Sequence, residues 1–220
     1  MSVAEATTAP RERPILFSAP MVRAILAGAK TQTRRIVTRD ALRWLDVDGF
    51  DPGFVAAPEN ALSPYGYAGD RLWVRETWAA AAWPLAGIPA RGEADIQYAA
   101  DGVTSTDKDG RWRPSIFLPR WASRITLEVT GVRVERLQTI TEEDVAAEGT
   151  PGMVAGRYQC HDCNGRGRNV TWPSGCPRCE GKGTNAVGHF RRLWDQINGE
   201  RAPWASNPWI WVVSFRRLAS

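Results

Sequence analysis

The sequence has no apolar run long enough to cross a bilayer, which takes about 20 consecutive apolar residues. Residues 1–14 also lack the apolar core of a secretory signal, so a cytoplasmic protein with no membrane partner is expected. Cysteine is scarce: four residues, all between positions 160 and 179. In a cytoplasmic chain, cysteines so confined are not read as disulfides. The excess of positive charge is small, +4, which tilts only mildly toward anionic partners. What the chain does hold in quantity is tryptophan, 11 of 220 residues, a side chain that fills cores and stacks on bases. This length suits one domain carrying a small insert.

The densest chemistry lies in Ala27-Gly28-Ala29-Lys30-Thr31-Gln32-Thr33-Arg34-Arg35. If the segment after Gly28 is extended, Thr31, Thr33 and Arg35 share one face and Gln32 and Arg34 the other. Lys30 sits at the bend, where its stem reaches either side. A hydroxyl beside an amine makes a nucleophile when the amine is desolvated enough to lose its proton. A solvated basic hairpin accounts for the same residues.

Taken in order, residues 1–12 are expected to be a disordered tail. A first strand is expected over 14–18, and then a short helix opened by Ala19-Pro20, with Met21, Val22, Ile25 and Leu26 at helical spacing. Gly28 stops that helix, and a strand follows over 33–38. Residues 39–64 mix Gly, Pro, Asp and Ala irregularly and read as a functional loop or lid. After the Gly69-Asp70 turn, a strand over 71–78 puts Leu72, Val74 and Glu76 on one face and Trp73, Arg75 and Thr77 on the other. A carboxylate on an apolar face marks Glu76 as a candidate, although an arginine partner would also explain it. Further strands are expected over 95–99 and 124–137, the second bent at Gly131. Thr141 caps a helix that stops at Gly149, leaving Glu148 at the end where the helix dipole favours cations. A helix over 187–198 sets Phe190, Leu193, Trp194 and Ile197 at helical spacing, and a strand over 209–218 follows. Short non-consecutive strands with few helices predict an α+β fold, a small mixed barrel with helices at its ends.

The cysteines form two C-x-x-C pairs, Cys160/Cys163 and Cys176/Cys179, at the spacing of a structural four-thiolate zinc site. Each pair continues as C-x-x-C-x-G-x-G, through Gly165 and Gly167 and through Gly181 and Gly183. Four thiolates complete the shell, so His161 is a bystander and the zinc folds the insert rather than doing chemistry. Arg157, Arg166, Arg168, Arg178 and Lys182 make the insert basic, which suits phosphates or plain solvation. The pattern resembles the cysteine-rich repeat of the DnaJ chaperones, with two repeats and no J domain, so a chaperone role is not implied. The module is placed at 155–186.

With Gly28, Lys30, Thr33 and Arg35, the Gly69-Asp70 turn, the strand from Arg124, Ile140-Thr141-Glu142 and the strand from Trp209, the chain resembles an ASCH domain. That family is PUA-like, with a G-x-K-x-x-[T/E]-x-R signature, and the resemblance covers residues 13–150 and 187–220. The best understood members of that family are small bacterial amidohydrolases described as deacetylating N(4)-acetylcytidine with a lysine, a threonine and a glutamate. The resemblance implies that Lys30, Thr33 and Glu148 are catalytic, with a modified cytidine nucleoside or base as substrate. Thr31, Arg35, Trp73 and Trp78 join Glu76, marked above by its place on the strand, as substrate-binding candidates, and the resemblance implies no catalytic cofactor. The competing expectation is a PUA-like module that binds or cleaves RNA, in which Lys30, Arg34 and Arg35 hold phosphates.

Overall fold

The computed structural model describes residues 9–80, 96–102, 111–150, 153–154, 157–158, 160, 163–177, 179, 183 and 185–219. The elements run β1 (Glu12–Leu16), α1 (Ala19–Leu26), β2 (Gln32–Ile36), α2 (Arg39–Asp46), α3 (Pro52–Ala56), β3 (Arg71–Arg75), β4 (Trp78–Ala80), β5 (Ile96–Tyr98). They continue as β6 (Thr126–Arg136), α4 (Glu142–Ala147), β7 (Met153–Val154), β8 (Arg157–Tyr158), α5 (Ala186–Asn198) and β9 (Trp209–Arg217). The architecture is α+β. Its main sheet has the order β1-β3-β6-β9-β2, and the pairs β4-β5 and β7-β8 stand apart.

Only β1 and β3 pair in parallel; the rest of the main sheet is antiparallel. The register of β6 on β9 slips between Val129 and Gly131, the bulge anticipated at that glycine. The ladders leave β1 and β2 as edges, so backbone pairing does not close a barrel among the described residues. Laid flat, those edges would stand about 19 Å apart, farther than one arginine reaches. Yet Arg35 of β2 donates from Nη2 to the Leu16 carbonyl at the end of β1. The sheet is therefore strongly curled, and a side chain spans its seam.

β9 shows why both faces are dry. Trp211, Val213 and Phe215 enter one core with Ile15, Phe17, Val22, Ile25, Leu72, Val74 and Leu127. Ile210 and Val212, pointing the other way, enter a second core with Leu137, Val145, Phe190 and Trp194. The four cysteines form a small cluster of their own with Trp172 against it.

Several expectations change. The first strand begins at Glu12, and the Arg11 amide donates to Asp70 Oδ1, so residues 11–12 are held in place; residues 1–8 lie outside the described part. Residues 39–64 are not an irregular lid: α2 and α3 form there and send Ala41, Leu45, Val55 and Ala56 into the core. Asp51 starts α3 by accepting from the Gly53 and Phe54 amides, with Pro52 in the first turn. The strand expected over 71–78 ends at Arg75, and Trp78 opens a different sheet with β5. Of the strand expected over 95–99, Asp95 lies outside the described residues. Ile197 is exposed, because α5 buries only the stripe through Ala186, Phe190 and Trp194. Among the described residues, no helix is long and apolar enough to cross a membrane.

Candidate functional site

Gly28 takes φ +72° after α1, and the Lys30 amide turns back to the Ala24 carbonyl, which aims the chain into β2. The last turn of α4 docks here. Lys30 bridges Glu148 in an isolated antiparallel pair, and the Thr31 amide donates to the Ala147 carbonyl at 2.8 Å. Gly149, at φ +63°, lies so close that a Cβ on it would stand 2.6 Å from Lys30 Cβ.

Lys30 is 2 % exposed, and its ammonium donates to three oxygens: Gln32 O at 2.7 Å, Glu148 O at 2.9 Å and Glu148 Oε2 at 2.7 Å. Burial pushes the Lys30 pKa down, while the Glu148 carboxylate opposes that shift. Three acceptors with no donor leave no place for an amine lone pair, so the resting state is the ammonium. The other oxygen of Glu148, Oε1, accepts from Arg34 Nη1 at 3.1 Å. Two buried cations thus flank one carboxylate, which explains how a glutamate is tolerated at the C-terminal end of a helix.

Arg34 is itself anchored. Its Nη1 donates to Gln32 Oε1 at 2.7 Å, and its Nη2 pairs with Glu135 Oε1 at 3.0 Å and Asp144 Oδ2 at 2.9 Å. Arg133 ties those two carboxylates together. Sequence reasoning missed this network. Its local signal was there, since alternation sets Gln32 and Arg34 on one face, but its acids lie a hundred or more residues away.

Thr33 and Arg35 occupy the opposite face, paired across the ladder with Val213 and Trp211 of the first core. Thr33 is 2 % exposed, and its hydroxyl makes no hydrogen bond among the described residues, to Lys30 and Glu148 included. Arg35 lies over the Phe17 ring, 5.2 Å from its centroid, and burial lowers its pKa. It has no carboxylate partner among the described residues, and its Nε–H is buried without an acceptor. Lys30 Nζ lies 5.8 Å from the same ring, so Phe17 adjoins both cations.

The other candidates lie elsewhere. Thr31 is exposed. Glu76, 1 % exposed, is held bidentately by Arg124, which also pairs with Asp101 and covers Tyr98. Trp73 is half-buried beneath the guanidinium groups of Arg75 and Arg120. Trp78 is fully buried with Leu118 and Ala122, so its ring presents no face to a ligand.

Away from this site, the sulfurs of Cys160, Cys163, Cys176 and Cys179 all lie within 4.8 Å of one another. The Cys160–Cys176 and Cys163–Cys179 separations are 3.8 and 3.7 Å, far from a bonded pair. Four sulfurs about 2.3 Å from a common centre in a tetrahedron stand about 3.8 Å apart, so the donor set fits a metal ion. The Gly167 and Gly183 amides donate to the Cys163 and Cys179 sulfurs, each at 3.2 Å, as hydrogen-bonded thiolates require.

No family model matches the chain, and no curated protein matches it. Among solved structures, the chain is similar to an ASCH domain from Lactobacillus crispatus JV V101, at 11% identity and a TM-score of 0.38. That match covers 94% of this chain and 79% of the other. At that TM-score the likeness adds nothing to the reading of the site.

Proposed function

We propose that the protein is an amidohydrolase that removes the acyl group from the exocyclic amine of N(4)-acylcytidine or a related cytosine derivative. The observation that carries this reading is the buried Lys30–Glu148 pair, drawn from positions 118 apart and joined at 2.7 Å. Burial lowers the Lys30 pKa, which brings the neutral amine within easier reach than for a solvated lysine. The neutral amine of Lys30 takes the Thr33 proton as Oγ1 attacks the acyl carbon. Arg35, a cation without a carboxylate partner among the described residues, faces the negative charge that develops on the acyl oxygen. Collapse breaks the carbon–nitrogen bond, and the proton on Lys30 goes to the cytidine amine. Water then hydrolyses the threonine ester, returning the proton to Oγ1 and releasing the carboxylic acid.

A second reading, a water deprotonated by Glu148 while the Lys30 ammonium polarises the carbonyl, is favoured by the three acceptors around Nζ. Mass spectrometry of protein quenched during turnover separates the two, since only the first leaves an acyl group on Thr33. In either case, ultraviolet absorbance should report conversion of N(4)-acetylcytidine to cytidine by the wild type and not by Lys30→Ala or Glu148→Ala. If neither this substrate nor bulkier N(4)-acylcytidines are converted, the reading is overturned in favour of an RNA-binding module.

We further assign the four cysteines to a structural zinc ion. A closed shell of four thiolates suits zinc and leaves no open position for chemistry.

A further inference from the structure

The cysteine module carries a feature that neither the hydrolase reading nor the metal uses. Its first knuckle turns at Gly165 and Gly167, both at positive φ, and is pinned by the Gly167 amide on the Cys163 sulfur and by the Cys176 amide on the Gly167 carbonyl. This presents Arg166 and Arg168 on either side of one residue, both exposed. Between them and the turn of Pro173, Ser174 and Gly175 lies an open concavity of about 340 Å3. Among the described residues, no carboxylate lines it. Neither guanidinium forms an ion pair or a side-chain hydrogen bond among the described residues, in contrast to Arg34, Arg120, Arg124 and Arg133, each held by an acid.

Two unneutralised guanidinium groups on a metal-braced loop, facing a hollow with a serine hydroxyl and two glycines, match the needs of a tetrahedral oxyanion. Guanidinium forks donate bidentately to phosphate oxygens, and glycine lets backbone approach them. The hollow is larger than one phosphate and has room for the sugar attached to it. By sequence the module holds three more cations, Arg157, Arg178 and Lys182, against two acids, Asp162 and Glu180. A chain of phosphates engages such a spread of charge better than a single ion does.

We propose that the concavity between Arg166 and Arg168 is a phosphate-binding site through which the module holds single-stranded nucleic acid. The proposal stands without the hydrolase reading, and its test does not depend on turnover.

The test is fluorescence anisotropy of a labelled single-stranded RNA oligonucleotide with the full chain, wild type and Arg166→Ala/Arg168→Ala, over a salt series. Each phosphate contact on a single strand contributes about 0.7 to the slope of log affinity against log salt, so the double variant should lose about 1.4 from it. Its affinity at low salt should fall about tenfold. Cobalt(II) loaded into the cysteines gives thiolate absorbance that should be the same in both proteins, showing that the module still folds. An Arg166→Lys/Arg168→Lys protein should recover most of the slope, since charge is kept and only the fork is lost. An unchanged slope and affinity in the alanine variant would overturn the proposal. Inorganic phosphate or cytidine monophosphate that displaces the oligonucleotide at equal phosphate concentration would overturn the nucleic-acid assignment and leave a site for free phosphate.

Discussion

Replacing Glu148 by alanine removes the only carboxylate among the described residues that touches Lys30. Arg34 keeps Glu135 and Asp144, so the burden falls on the lysine, left with two carbonyl acceptors at a site only 2 % exposed. Breaking a buried pair from one side costs about 3–5 kcal/mol. The lysine can limit that cost by giving up its proton. From a reference pKa near 10.4, this takes about 4.6 kcal/mol at pH 7 but only about 1.9 kcal/mol at pH 9. The folded-state pKa of Lys30 already lies below its unfolded value, so its contribution to stability is present above that unfolded value and is lost as pH falls. Losing Glu148 deepens the depression. The gap between wild type and Glu148→Ala should therefore be widest near pH 7 and should narrow as pH rises to 9. For a domain of this size the melting temperature near pH 7 should drop by roughly 6–20 °C. Calorimetry across pH 6–9 reads both quantities, and Lys30→Met/Glu148→Leu, which removes both charges, should recover most of the loss. A penalty under about 1 kcal/mol that does not change with pH would refute a buried, paired Lys30.

Thr33→Val should fold with stability within about 1 kcal/mol of wild type, because the hydroxyl it removes is buried and makes no hydrogen bond, yet it should abolish N(4)-acetylcytidine turnover if Thr33 is the nucleophile. Gly149→Ala should lower the melting temperature and displace Lys30, since the new methyl would stand 2.6 Å from Lys30 Cβ at a backbone φ of +63°; amide exchange at Thr31 should speed up with it. Chelation of the metal should expose four thiols to a thiol reagent and unfold the module, while near-ultraviolet circular dichroism of the tryptophans in the main cores persists. Turnover lost on chelation with that signal intact would show that the metal does chemistry.

The long β6, the capping box at Thr141, α5 and β9 were legible because each carries its own local signal: alternation, a hydroxyl cap, a helical stripe. The pair Lys30 and Glu148 reached notice by two routes, a motif resemblance and a carboxylate at the wrong end of a helix. The helices over 39–64 were hidden by their punctuation. Asp51-Pro52-Gly53 reads as a turn, whereas Asp51 in fact caps a helix with Pro52 in its first turn. Trp73 and Trp78 were candidates because indoles stack on bases, and a strand pattern does not show what covers them. The covering came from Arg75 and Arg120 for one, and from Leu118 and Ala122 for the other. The binding of Arg34 to Glu135 and Asp144 was out of reach for the same reason: nothing local signals an ion pair made across the fold.

Among the described residues, β2 has a single ladder partner, β9. The strand that follows Lys30 and carries Thr33, Arg34 and Arg35 is made some 180 residues before the strand that holds it. Until β9 has been made, this basic stretch has no ladder to join in the sheet, although the acids that pair with Lys30 and Arg34 are already in the chain. The nascent chain therefore exposes a lysine and two arginines that the finished protein hides. A stop codon before β9 would leave β2 without the strand that pairs with it, and the proposed active site unassembled.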